Sequence, residues 1–170
     1  MSSLAFIKPT VELLSVSSVL FLSGYQYGTD RVTLPNALEA NSMSSEDAVR
    51  SWYRAWNVGR VVGPLCVNVP MIGYAILAFL EGWRGPKFAI YGLASGAQVL
   101  NVIYTVFAVF KVNDKLLAEY ELVNAGKETS GAGKVKAWIK KWKSMDRKRL
   151  LLMNLSAVLG VWALWKNLRV

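Results

Sequence analysis

From Val61 to Phe110 the chain reads VVGPLCVNVPMIGYAILAFL, then EGWRGPK, then FAIYGLASGAQVLNVIYTVFAVF. Neither apolar run, Val61–Leu80 or Phe88–Phe110, holds a charged side chain, and the linker Glu81–Lys87 between them is polar and carries two glycines and a proline. The hydrocarbon core of a bilayer is about 30 Å thick and takes roughly 17 to 25 residues of helix to cross. Both runs have that length, and so short a linker folds them into a tight antiparallel hairpin. Two further uncharged runs flank the pair, Leu13–Thr29 and Leu150–Trp165. The last is the shortest, and Arg149 and Lys166 at its ends reach the head groups while their stems cover apolar surface. The fold class that follows is all-α: an integral membrane four-helix bundle with interfacial amphipathic helices in the two long loops, one domain, residues 1–170, with spans at about 10–28, 59–81, 87–111 and 149–167.

Composition agrees, with 54% hydrophobic and only 18% charged residues against about 25% charged in soluble domains. A net charge of +9 would suggest nucleic acid in a soluble chain. Here the cations sit outside the apolar runs, so membrane lipid, anionic lipid included, is the expected partner and nucleic acid is not. There is no histidine, which excludes His-ligated haem, imidazole metal sites and a Ser-His-Asp triad. No metal and no cofactor are expected. Cys66 is the one cysteine and lies in the second run, so there is no intrachain disulfide. The first run lacks a small-residue cleavage site close to its end and reads as a retained span.

Lys8 and Pro9 open the first span, where a first helical turn tolerates proline. Beyond Pro35, Ser44 and Asp47 have the spacing of a capping box. Val49, Trp52, Tyr53 and Trp56 then share one helical face. That face either lies at the membrane surface as an aromatic anchor or covers the bundle. Pro64 and Pro70 are expected to kink the second span. Gly92 and Gly96 in the third are expected to let a neighbouring backbone approach closely. Gly126 to Gly133 has the composition of a flexible loop. From Lys134 to Arg149 the cations crowd around Trp138, Ile139 and Trp142, the pattern of a basic amphipathic helix at the interface.

Polar groups inside a bilayer are costly, which singles out Gln98, Asn101 and Thr105 on one stripe of the third span. Asn68 and Asn154 are candidates to face it, and the stripe serves either packing or a ligand. Ionisable groups gather at one set of span ends: Asp30 and Arg31, Arg60, Asp114, then Asp146, Arg147 and Arg149. A vestibule there would bind an anionic or phenolic group through Arg60 or Arg149, with Asp30 or Asp146 as base. Interface anchoring and paired ends would account for the same residues.

Phe21-Leu22-Ser23-Gly24 with Pro35, Trp52 with Gly59 and Pro64, Tyr104-Thr105 with Asn113 and Leu116, and Trp142, Asp146 and Arg149 occur in an order that resembles the anthrone-oxygenase-like family of small four-helix membrane proteins, many of them fungal. The resemblance covers most of the chain. It implies oxidation of an anthrone, a reduced tricyclic polyketide, to an anthraquinone by molecular oxygen without a bound metal or flavin. Asp146 and Arg149 match the family's polar-x-x-Arg motif, in which the polar residue is more often Asn, and Asn113 matches the asparagine after the third span. On this reading Asp146, Arg149 and Asp30 are catalytic, and Asn113, Arg60, Tyr104, Asn101 and Gln98 bind a small aromatic substrate. The alternative is a non-catalytic accessory subunit of a larger membrane complex, with partner subunits in place of the substrate. A small-molecule carrier is disfavoured because no charge lies near mid-span. Self-association stays open. The expected location is the endoplasmic reticulum or another endomembrane, with the mitochondrial inner membrane as the alternative.

Of the 20 lysines and arginines, Lys8, Arg84, Lys87, Lys166 and Arg169 fall on the side of the termini and the remainder on the other. The positive-inside rule then places both long loops, around Asn41 and Gly131, in the cytosol. A cysteine introduced at Gly131 should be labelled only from the cytosolic face, and labelling from the opposite face would refute this topology.

Overall fold

The computed structural model describes residues 3–34 and 44–167. Pro35, the loop around Asn41 and Arg169 lie outside the described residues. The described chain is helical nearly throughout: α1 (Ser3–Gly28), α2 (Ser45–Glu81), α3 (Phe88–Tyr104), α4 (Phe110–Asn124) and α5 (Ala132–Asn167). A π-helical turn, Thr29–Thr33, follows α1, and a second, Thr105–Val109, joins α3 to α4 without a break. In each the closing N–H reaches back five residues, Leu34 to the Thr29 carbonyl and Phe110 to that of Thr105. Four of these helical rods are long and apolar enough to cross a membrane, and the fold is an all-α four-helix bundle.

Several sequence expectations are corrected. The segment after Ser44 begins as the capping box foretells, with Asp47 N–H donating to Ser44 Oγ at 3.1 Å and Ser44 Oγ to Asp47 Oδ2 at 2.8 Å. It is not a separate surface helix, however, because α2 runs from it through Pro64 and Pro70 to Glu81. The basic amphipathic stretch is likewise the first half of α5. Nothing between these stretches and the spans breaks a helix, so backbone hydrogen bonding carries on. Their apolar faces are buried in protein: Val49, Trp52, Val135 and Ile139 are fully covered and Trp142 nearly so. Pro9 sits inside α1, which starts at Ser3.

By its contacts the chain divides into two units, and each is described by itself. Unit 1 comprises Met1–Gly24, Gly63–Ile103 and Leu151–Val170. Its core joins Val16, Tyr74, Leu77, Ile90, Ala94 and Ala163, while Phe21, Leu93 and Val158 are exposed as lipid-facing residues would be. The hairpin of α2 and α3 turns at Gly82, whose φ of 75° suits glycine and whose N–H bonds the Ala78 carbonyl at 3.1 Å. The expected close approach at Gly92 and Gly96 is absent: a Cβ at either meets nothing within 4 Å. The neighbouring helix packs instead beside Ala94, whose carbonyl accepts from Ser156 Oγ at 3.0 Å. Close approach occurs at Gly73, against Ser15, and at Gly160, against the Tyr74 hydroxyl. Asn68 and Asn154, expected to face inward, are both exposed.

Unit 2 comprises Tyr25–Val62 and Tyr104–Leu150. Its core is Leu34, Val49, Trp52, Val112, Leu116 and Ile139 with an aromatic shell. The glycine-rich loop is latched down. After α4, Gly126 at φ 66° lets Lys127 N–H reach the Leu122 carbonyl at 3.0 Å, a Schellman ending. Buried Glu119 then accepts from Ser130 N–H at 2.9 Å and Ser130 Oγ at 2.5 Å.

Alanine at Gly96 gains helix propensity of about 0.5–1 kcal/mol. At Gly160 the same change overlaps the fully buried Tyr74 ring, a cost of about 1–3 kcal/mol. Thermal unfolding in detergent should therefore move in opposite directions for Gly96→Ala and Gly160→Ala, and equal shifts would contradict the packing described for unit 1.

Candidate active site

Trp142, Asp146 and Arg149 stand at i, i+4 and i+7 of α5 and so share one face. The face is buried, with Asp146 4% exposed. Arg149 Nη1 donates to Asp146 Oδ1 at 3.1 Å, and the two side chains are only 15% and 5% exposed. Tyr104 is near enough to Arg149 to interact with it electrostatically. Two charges removed from water are tolerated only as a pair, so this pair fixes the local arrangement.

Asp30, in the π-helical turn after α1, is also buried. Arg147 Nε lies 3.0 and 3.1 Å from its two carboxylate oxygens, with Lys143 Nζ at 3.9 Å and Arg31 Nε at 3.8 Å. Three cations thus surround this carboxylate. Asp146 precedes the apolar run that begins at Leu150. Burial pushes its carboxyl from the ordinary 3.8 up to about 6, against the downward pull of Arg149 and with the Asp30 carboxylate adding to the rise. A carboxyl in that range is poised to accept and return protons near neutral pH.

Aromatic side chains make up the rest of this part of unit 2. Trp52 is fully buried, stacked on Trp56 at 5.6 Å and edge-on to Trp142 at 6.3 Å. Tyr53 stacks on Tyr120 at 3.6 Å between ring centroids. Asn113 accepts from Trp142 Nε1 at 2.8 Å and so fixes that indole. Tyr25 donates to the Ala55 carbonyl at 2.6 Å, tying the end of α1 to α2.

Asp146 and Arg149 are thus paired, with Asp30 and Tyr104 within electrostatic reach of the pair and Asn113 bonded to Trp142 on the same face of α5. Arg60 is exposed, its guanidinium 5.0 Å over the Trp56 ring and its Nε bonded to Asn57 Oδ1 at 2.9 Å. Gln98 and Asn101 are buried in unit 1, and both ends of the Gln98 amide lack a hydrogen-bond partner among the described residues. Sequence reasoning missed two groups in unit 2. Among the described residues the Trp52 indole N–H and the Gln26 side-chain oxygen are buried without a hydrogen-bond partner, a costly state that a bound ligand would relieve. Gln26 lies one turn before Asp30 on α1, a spacing that would have flagged it. Among the described residues no three His, Cys, Asp or Glu side chains come together as a metal site.

Fold and site define a membrane-spanning helical protein whose polar centre is a buried carboxyl–guanidinium pair among aromatic rings. The sequence profile of the anthrone oxygenase family matches residues 52–159, more than half of the chain, and the chain belongs to that family. The Monooxygenase hypC of Dothistroma septosporum (strain NZE10 / CBS 128990) is similar to it, 23% identical over 151 residues that cover 89% of this chain and 80% of that protein. No solved structure matches.

The raised Asp146 carboxyl is open to a direct check. A carboxyl signal in infrared or NMR titration that disappears in Asp146→Asn should titrate near pH 6, protonated below and ionised above. A midpoint near the ordinary 3.8 would contradict the burial and pairing described.

Proposed function

We propose that this protein is an oxygenase that converts the activated methylene of an anthrone-like, flat aromatic substrate to a carbonyl, using molecular oxygen. The observation that carries the reading is the buried Asp146–Arg149 pair within electrostatic reach of Tyr104, lying within the stretch that matches the family.

Asp146 takes the first methylene proton, and Arg149 holds the negative charge that spreads to the ring oxygen as the carbanion forms. The carbanion passes one electron to oxygen, and the two radicals join to make a carbon–oxygen bond and a peroxide. Asp146 returns its proton to the peroxide, then takes the second methylene proton as the carbonyl forms and the oxygen–oxygen bond breaks. The departing hydroxide collects that proton and leaves as water. Four electrons leave the methylene and four enter oxygen, one atom of which stays in the product. The substrate supplies all the electrons, so no separate reductant is needed. The Trp52 N–H and the Gln26 oxygen suit a ring carbonyl and a ring hydroxyl, and the surrounding indoles suit a planar polycycle.

Arg149→Ala should slow oxygen uptake with an anthrone by about 100- to 1000-fold, the usual loss for one electrostatic donor, read per mole of protein that circular dichroism shows to be helical. Arg149→Lys should recover only part, because an ammonium keeps the charge but loses the planar fork. A purified wild-type protein that oxidises an anthrone no faster than the spontaneous reaction would end this reading and favour an accessory subunit.

A further inference from the structure

Asn68 is exposed on α2, and its side-chain amide has no hydrogen-bond partner among the described residues. It stands eight residues past Arg60 and thirteen before Glu81, roughly 12 Å and 20 Å along the helix at 1.5 Å per residue. Both distances place it deep in a core about 30 Å thick. An asparagine side chain is too short to reach a head group from there, and lipid tails offer its amide neither donor nor acceptor.

The rest of the face says what would cover it. Leu65, Asn68, Ile72, Ala75 and Phe79 follow one another at alternating three- and four-residue spacing, and all are exposed, Leu65 at 68% and Phe79 at 83%. The opposite face of the same stretch is spent inside unit 1, where Tyr74, Leu77 and Ala78 are buried and the Met71 carbonyl accepts from Ser95 Oγ at 2.7 Å. A seam whose apolar positions average 3.5 residues apart is the pattern by which two helices interlock at a shallow left-handed crossing. A single asparagine in such a seam commonly fixes register and partner number.

From these observations we infer that the Leu65–Phe79 face of α2 is a homodimer interface, in which Asn68 pairs with Asn68 of a second copy across a two-fold axis. The amide is self-complementary, since each copy's NH2 donates to the other's carbonyl oxygen, and a two-fold axis brings like residues together. Ala75 lets the backbones approach at one point of the seam. Asn154 supplies the contrast. It too is exposed and its side chain has no partner among the described residues, but it lies only six residues from exposed Lys148, roughly 9 Å along α5, close to the head-group level. The inference is independent of the oxygenase reading.

The test uses the full-length protein reconstituted in liposomes over a range of protein-to-lipid ratios, with energy transfer between labelled copies as the readout. Wild type should dimerise, Asn68→Leu should weaken the dimer by about tenfold, and Asn154→Leu should leave it unchanged. On a Cys66→Ser background, Asn68→Cys should form a cross-linked dimer under oxidant and Asn154→Cys should not. Circular dichroism on each variant separates loss of dimer from loss of fold. The inference is overturned by a wild type that stays monomeric at every density, by an Asn68→Leu dimer as tight as wild type, or by cross-linking from Asn154→Cys alone. A different protein recovered in equal amount from native membranes and released by Asn68→Leu would overturn it as well.

Discussion

A carboxylate and a guanidinium buried side by side dominate this molecule, because neither is tolerable there without the other. Asp146 and Arg149 are one helical turn apart on α5, and their pairing at 3.1 Å requires α5 to be helical across the place where its sequence changes from basic to apolar. That continuity brings Trp142 into line with the pair, and Trp142 in turn joins Asn113 on α4 and Trp52 on α2. Arg147, on the adjoining face, holds Asp30 and with it the π-helical turn that ends the first rod. The centre of unit 2 is therefore built around one ion pair, with the aromatic residues excluding water from it. Exclusion of water raises the Asp146 carboxyl towards neutrality and strengthens its attraction to Arg149.

The two π-helical turns belong to the same account. Each adds a residue to a helical turn, and such insertions are frequent at functional sites. One contains Asp30 and the other begins directly after Tyr104. Both side chains belong to the electrostatic surroundings of the pair, Asp30 through Asp146 and Tyr104 through Arg149.

Much of this was legible in the sequence, for identifiable reasons. Uncharged runs of bilayer length are a strong signal, and Ser44 with Asp47 marked a helix start because capping depends on spacing alone. Asp146 and Arg149 were legible as candidates because they stand at the head of the last apolar run and match the polar-x-x-Arg motif of the family. The burial of Trp52 and Trp142 was not, since an amphipathic face looks the same whether it meets lipid or protein. Inside an apolar span the inward side carries no hydrophobic label, so Asn68 and Gln98 could not be told apart as outward and inward. Gly92 and Gly96 looked like a packing face, yet the close approach fell at Gly160, where a tyrosine from another helix takes the space. π-helical turns leave no residue signature, and the latch of Glu119 on Ser130 joins residues too far apart for any short motif.

If the ion pair acts as one catalytic unit, the loss of both members should cost little more than the loss of the more important one. The direct measurement is a double-mutant cycle on oxygen uptake with an anthrone, comparing wild type, Asp146→Asn, Arg149→Gln and the double variant in one bilayer preparation. The account predicts a double variant about as slow as the slower single variant. Losses that multiply, or single variants as fast as wild type, would contradict it.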